Sequence, residues 1–180
     1  MSIRRKKAVK RIIFGIILLA VAGALYWSGN KTEKITNFNE CVSAGYPMME
    51  SYPRQCKMLD GKTFREDIGN ELEKDNLIRI SEPRPNALVK SPLVVRGMAR
   101  GNWFFEASFP VRLFDGNGEA LARSVAQAKS NWMTNEFVSF EVTLSFETPT
   151  TTTGTLLLDK DNPSGLPENE DALRVPVRFR

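Results

Sequence analysis

The stretch "GNWFFEASFPVRLFDGNGE", residues 101–119, gathers one tryptophan and four phenylalanines around the glutamate Glu106. It reads either as an acid desolvated in an aromatic pocket or as one strand of a β-structure. From Phe105 to Leu113 every odd position is apolar, with Glu106, Ser108, Pro110 and Arg112 between. A period of two predicts a strand with Phe105, Ala107, Phe109, Val111 and Leu113 inward. Glu106 is then a surface carboxylate. Pro110 donates no hydrogen bond, which implies an unpaired edge or a bulge.

The same alternation recurs in "EFVSFEVTLSF", with Val138, Phe140, Val142, Leu144 and Phe146 inward, and in "ALRVPVRF", with Leu173, Val175, Val177 and Phe179 inward. Shorter candidate strands cover 77–81, 93–99, 121–128 and 154–160, separated by Pro83 and Pro85, Gly97 and Gly101, the Gly116–Gly118 turn and "DNPSG". Seven short strands without a long amphipathic helix predict a mainly β fold. The expected form is an immunoglobulin-like antiparallel β-sandwich of two sheets over residues 77–180.

Composition limits the chemistry. The 180 residues contain no histidine and two cysteines, so imidazole-based catalysis, imidazole metal sites and four-cysteine zinc sites are excluded. No cofactor is implied. The charge of +4 is concentrated at one end: Arg4, Arg5, Lys6, Lys7, Lys10 and Arg11. Removing those six from the 25 basic residues leaves 19 against 21 acidic ones, so the remainder carries no basic excess for nucleic acid.

After residues 1–11, a cytoplasmic basic segment by the positive-inside rule, comes "IIFGIILLAVAGALYW", uncharged like Ser28 to Asn30 behind it. Its sixteen residues would span about 24 Å as a helix, so 12–30 is read as a single transmembrane anchor partnered by the lipid bilayer. Tyr26 and Trp27 stand where the outer interface would be. A cleaved secretory signal is the competing reading, through the small residues of Ala20-Val21-Ala22. Either way the body is expected outside the cytoplasmic membrane.

In that compartment Cys41 and Cys56, fourteen residues apart, are expected to pair as a disulfide stapling a hairpin unit over 36–65. Asp60-Gly61 is its hairpin turn. The charged stretch 66–76 then reads as a linker to the sandwich.

Two resemblances follow from these residues. "ECVSAGYPMMESYPRQC" is similar to a small cysteine motif of bacterial envelope proteins, which implies location only. "SPLVVRGMARGNWFFEASFPVRLFDGNG", "NWMTNEFVSFEV" and "GTLLLDKDNPSGLPEN" together resemble the immunoglobulin-like domain named from bacterial spore-germination proteins, over roughly 77–180. The resemblance implies a secreted or anchored envelope protein and no established catalytic residues. The germination-type domain that often accompanies it is replaced here by the cysteine hairpin.

Three local patterns have the composition of sites. "DKDNPSGLPENE" places Asp159, Asp161 and Glu170 at positions 1, 3 and 12 of a calcium loop, but Pro163 at position 5 and Ser164 at position 6 do not fit one. "TPTTTTG" reads as a turn and strand start. No acid pair is distinguished as a glycosidase dyad.

With strands alternating up and down, the loops 100–103, 129–135 and 161–172 emerge at one end. They bring Trp103, Trp132, Met133, Asn162 and Pro163 together as candidate partner-binding residues. The alternative is that the tryptophans plug the core while Asn162 bonds loop backbone. The expectation is a non-catalytic, membrane-anchored interaction module binding an envelope protein or cell-wall glycan. An envelope hydrolase or transferase and a structural spacer are the competing readings.

Overall fold

The computed structural model describes residues 34–179. The anchor expected over 12–30 lies outside them, and among the described residues no helix is long and apolar enough to cross a membrane.

The first unit is small. Helix α1 (Phe38–Ser43) starts where the Asn37 side chain accepts from the Glu40 N–H at 2.9 Å, while the Glu40 carboxylate accepts from the Thr36 N–H at 2.7 Å. This reciprocal arrangement satisfies N–H groups that a helix start leaves open. Strands β1 (Met48–Met49), β2 (Gln55–Lys57) and β3 (Thr63–Arg65) form a three-stranded antiparallel sheet. The turn between β2 and β3 carries Asp60 and Gly61, as the sequence predicts. A disulfide joins Cys41 of α1 to Cys56 of β2, and both are fully buried with Phe38. In the chain-entropy model closing this loop contributes about 3 kcal/mol. So small a core needs such a staple.

Residues 66–76 are built into the fold. Glu66, Ile68 and Glu71 are buried, and helix α2 (Glu71–Lys74) packs beside the last strand. Gly69 has a φ of +69°, and a Cβ there would meet the Arg174 carbonyl oxygen at 1.9 Å. Only glycine fits so close an approach. It lets Asn70 accept from the Arg174 N–H at 2.7 Å and donate to the Ala172 carbonyl at 2.9 Å. Two ion-pair clusters join the hairpin unit to the rest. Glu66 accepts from Arg54 and from Asn86; Glu71 accepts from Tyr52 and from Arg84, at 2.7 Å for the latter.

Strands β4 (Ile78–Glu82), β5 (Leu93–Arg100), β6 (Ser108–Asp115), β7 (Ala120–Ala128), β8 (Phe137–Leu144), β9 (Thr153–Asp159) and β10 (Ala172–Arg178) match the seven expected. Their inward residues meet in one core, in which the Phe109 and Phe140 rings stand edge to face at 4.9 Å. The two separate sheets of the expected sandwich are corrected in one respect. All seven strands form one antiparallel sheet in the order β10-β9-β6-β7-β8-β5-β4. The β10-β9-β6-β7 layer turns into the β8-β5-β4 layer through only two residue pairs, Gln127↔Glu141 and Ala128↔Phe140. The roll is then nearly closed, because 86–89 run parallel to β10. Val89 donates to the Arg178 carbonyl at 2.8 Å, and Arg178 donates to that of Ala87 at 2.9 Å. A sheet whose inner side is all apolar buries it most fully by curling on itself, and the added pairing protects an edge.

The opening stretch is also corrected. Strand β6 begins at Ser108, not at Phe105. Phe105 and Ser108 exchange both backbone hydrogen bonds around Glu106 and Ala107, whose φ angles of 48° and 63° make a left-handed two-residue turn. Such turns match the twist of the chain they join. Glu106 is exposed, as expected, but at a turn tip; Phe105 is exposed too. Pro110 lies just before the β9 pairing of β6 starts at Val111, and the bulge falls at Leu113 and Phe114 instead.

Candidate functional site

Strands β5, β7 and β9 end where β4, β6, β8 and β10 begin, so their connections share one end of the roll. A turn of 3-10 helix, Gly101–Trp103, leads off β5. Gly101 is buried against the next loop: a Cβ would lie 2.0 Å from the Thr134 carbonyl oxygen and 2.2 Å from that of Trp132. The third loop joins them, as Asp161 donates to the Trp103 carbonyl at 3.0 Å. The first of the three loops named in the sequence thus touches both of the others.

Their side chains divide by exposure. Trp103 is 1% exposed inside the core, next to buried Phe104, so it supports this end from below and reaches no partner. Its indole N–H is enclosed without a hydrogen-bond partner. Trp132 is half-buried against the same core, and Met133, directly after it, is 75% exposed. With Gly101, Asn102, Phe104, Thr134 and Asn135 these two line a hollow of about 340 Å³. Asn162 donates to the Leu166 carbonyl at 2.8 Å and accepts from Ser164, holding its own loop; Pro163 is exposed beside it. The surface a partner could touch here is therefore Met133, the open face of Trp132, and Pro163.

Cation–π stacking stiffens the platform. The Phe137 ring lies between the guanidinium groups of Arg79 at 4.5 Å and Arg100 at 4.3 Å. Arg100 also donates to the Asn135 carbonyl at 2.8 Å, fixing the loop that carries Met133. At partly exposed sites such contacts are each worth about 0.5–1 kcal/mol.

The acids hold structure. Glu66 and Glu71 bind Arg54 and Arg84, and Asp115 caps the Gly116–Gly118 turn by accepting from the Asn117 and Glu119 N–H groups at 2.9 Å. Bonding from Arg54 holds the Glu66 carboxyl below its usual range despite burial. In the loop weighed for calcium, Asp159 is taken by Arg112 at 2.7 Å. Among the described residues no three acids or cysteines gather to hold a metal ion.

Sequence reading missed the outer face of the β10-β9-β6-β7 layer, where a trough of about 930 Å³ lies over Arg112, Arg123 and Arg174. The available signal was the solvent phase of the alternation, read there only as surface. Residues 77–165 match the family model of the immunoglobulin-like domain of bacterial spore germination. The match takes in β4 to β9, and β10 completes the sheet beyond it. No curated protein and no solved structure matches the chain.

Proposed function

We propose that this immunoglobulin-like domain of bacterial spore germination serves as a non-catalytic interaction module of the cell envelope, held outside the cytoplasmic membrane by residues 12–30. Its loop end docks an envelope protein or a wall glycan. The observation that carries this reading is Met133. It is the most exposed large apolar side chain of the domain, at 75%, on a loop braced by Gly101, Arg100 and half-buried Trp132. A flexible apolar side chain on a rigid base is a common contact element, and ligand sites favour loops positioned by a fixed scaffold. The six basic residues before the apolar stretch support the orientation.

The test compares the full chain with its Met133→Glu variant in detergent extracts of the source membrane. Because Met133 is exposed, the variant keeps its unfolding temperature while partner capture and glycan retention fall. Equal capture by both proteins would refute the docking role. Protease added outside intact cells should cut the domain, and complete protection would refute the topology.

A further inference from the structure

The outer face of the β10-β9-β6-β7 layer carries an aligned row of charge. Arg123 of β7 stands directly opposite Arg112 of β6, Arg112 opposite Leu157 of β9, and Leu157 opposite Arg174 of β10. Three guanidinium groups and one leucine therefore cross four strands in a single line. With strands about 4.8 Å apart, the outermost arginines are roughly 14 Å apart at the backbone. Like charges directly opposite one another are destabilising. Of the three, only Arg112 has an ion-pair partner among the described residues, Asp159. Arg123 and Arg174 are exposed.

The row floors the trough of about 930 Å³, which α2 and the 160–171 loop wall in. Leu157 and Arg174 also line a second hollow of about 620 Å³ that reaches Phe114, Thr155 and Asn39 of the hairpin unit. The two adjoin at Leu157 and Arg174 and are read together as one channel across the face.

We propose that this channel binds a phosphodiester polymer of the cell envelope, laid across the arginine row. Guanidinium forks match phosphate oxygens in pairs, and such bonds are the strong ones. A polypeptide fits less well. Its backbone amides would need partners, yet the amides on the rim are engaged, Asn70 with Ala172 and Arg174, and Asn162 with Leu166. A neutral glycan needs a free aromatic platform, and the Phe114 ring already lies 5.5 Å beneath the Arg112 guanidinium. A phosphodiester chain has neither requirement. Of the acids in the trough, Asp159 is bound by Arg112 on the floor and Asp171 by Lys74 at 2.6 Å, while Glu73, Asp161 and Glu170 belong to the walls. This leaves Arg123 and Arg174 as the guanidinium groups of the row without an ion pair among the described residues. The source of the polymer rests on the extracytoplasmic reading above; the binding chemistry does not.

The experiment titrates synthetic poly(glycerol phosphate) into the full chain in detergent, alongside Arg123→Gln, Arg174→Gln, the double variant and Met133→Glu. Each arginine removed is expected to weaken binding about tenfold, and the double variant falls to background. Wild-type binding weakens as salt rises, because counterions compete for the row. The unfolding temperature of Arg123→Gln should hold or rise, since a repulsion against Arg112 is removed, so lost binding there is not a folding defect. Arg174→Gln, at the other end of the row, provides the independent check. No binding by the wild type, full binding by the double variant, or equally tight binding of polyglutamate or a neutral glycan would each overturn the proposal. Met133→Glu keeps polymer binding, which separates this site from the loop end: either can fail without the other.

Discussion

Trp103 offers the sharpest test of how the loop end is built. It is 1% exposed, and its indole N–H is enclosed with no acceptor. Two opposing quantities meet in that side chain. Its volume fills the end of the core, and truncation to alanine should cost about 3–5 kcal/mol. Its unpaired N–H costs about 1–3 kcal/mol as it stands. Trp103→Phe removes the N–H and a few carbons, a loss of about 2 kcal/mol at ~0.8 kcal/mol per methylene-sized group. Loss and relief should nearly cancel, leaving Trp103→Phe within about 1 kcal/mol of the wild type while Trp103→Ala is severely weakened. For a chain of this length that is a fall in melting temperature of roughly 10 °C or more for alanine and a few degrees at most for phenylalanine. Thermal unfolding of the full chain, followed by near-ultraviolet circular dichroism, measures both. If phenylalanine is as damaging as alanine, the indole nitrogen has a partner and Trp103 does more than fill space.

Three other outcomes are expected. Gly101→Ala drives a methyl group into the Trp132 and Thr134 carbonyls, so it should cost about 1–3 kcal/mol and make 129–136 more sensitive to protease; an unchanged cleavage rate would contradict the loop contact. The Glu66 carboxyl is held below the usual 4.5 by Arg54. Its charged form is therefore favoured by folding, and the stability it adds is present above that value and lost as pH falls through the lowered one. Urea unfolding of Glu66→Gln between pH 7 and 3 should start lower and decline less steeply; parallel curves would exclude Glu66 as a source of acid sensitivity. Reducing Cys41–Cys56 should raise hydrogen exchange across 36–65 and leave β4 to β10 protected, whereas global unfolding on reductant alone at mild temperature would show that the staple serves the whole chain.

Local alternation is what made the strands readable. Each of β8 and β10 places apolar residues on every second position, and those residues are the observed core. The Glu106–Ala107 turn was hidden because the alternation runs through it: Phe105 and Ala107 have the right type at the right spacing, and only the left-handed backbone breaks the strand. The continuity of the sheet was out of reach for another reason. Two residue pairs at the β7–β8 corner, and the parallel contact of 86–89 with β10, join residues distant in sequence and leave no periodic trace. The stretch 66–76 misled through its charge. Glu66 and Glu71 look like solvated acids until Arg54 and Arg84 arrive from elsewhere in the chain. Of the candidate partner-binding residues, sequence could locate the loops, but whether Trp103 faces in and Met133 out depends on packing that single positions do not encode.

The parallel contact between 86–89 and the final strand has a mechanical consequence. Load applied between the amino-terminal side of the chain and its carboxyl end would draw these two segments past each other lengthwise. Their hydrogen bonds would then share the force and break together, as in shear, whereas an antiparallel hairpin pulled at its open end peels one bond at a time. Tension between the two ends of the chain would therefore meet the roll along its stiffest direction.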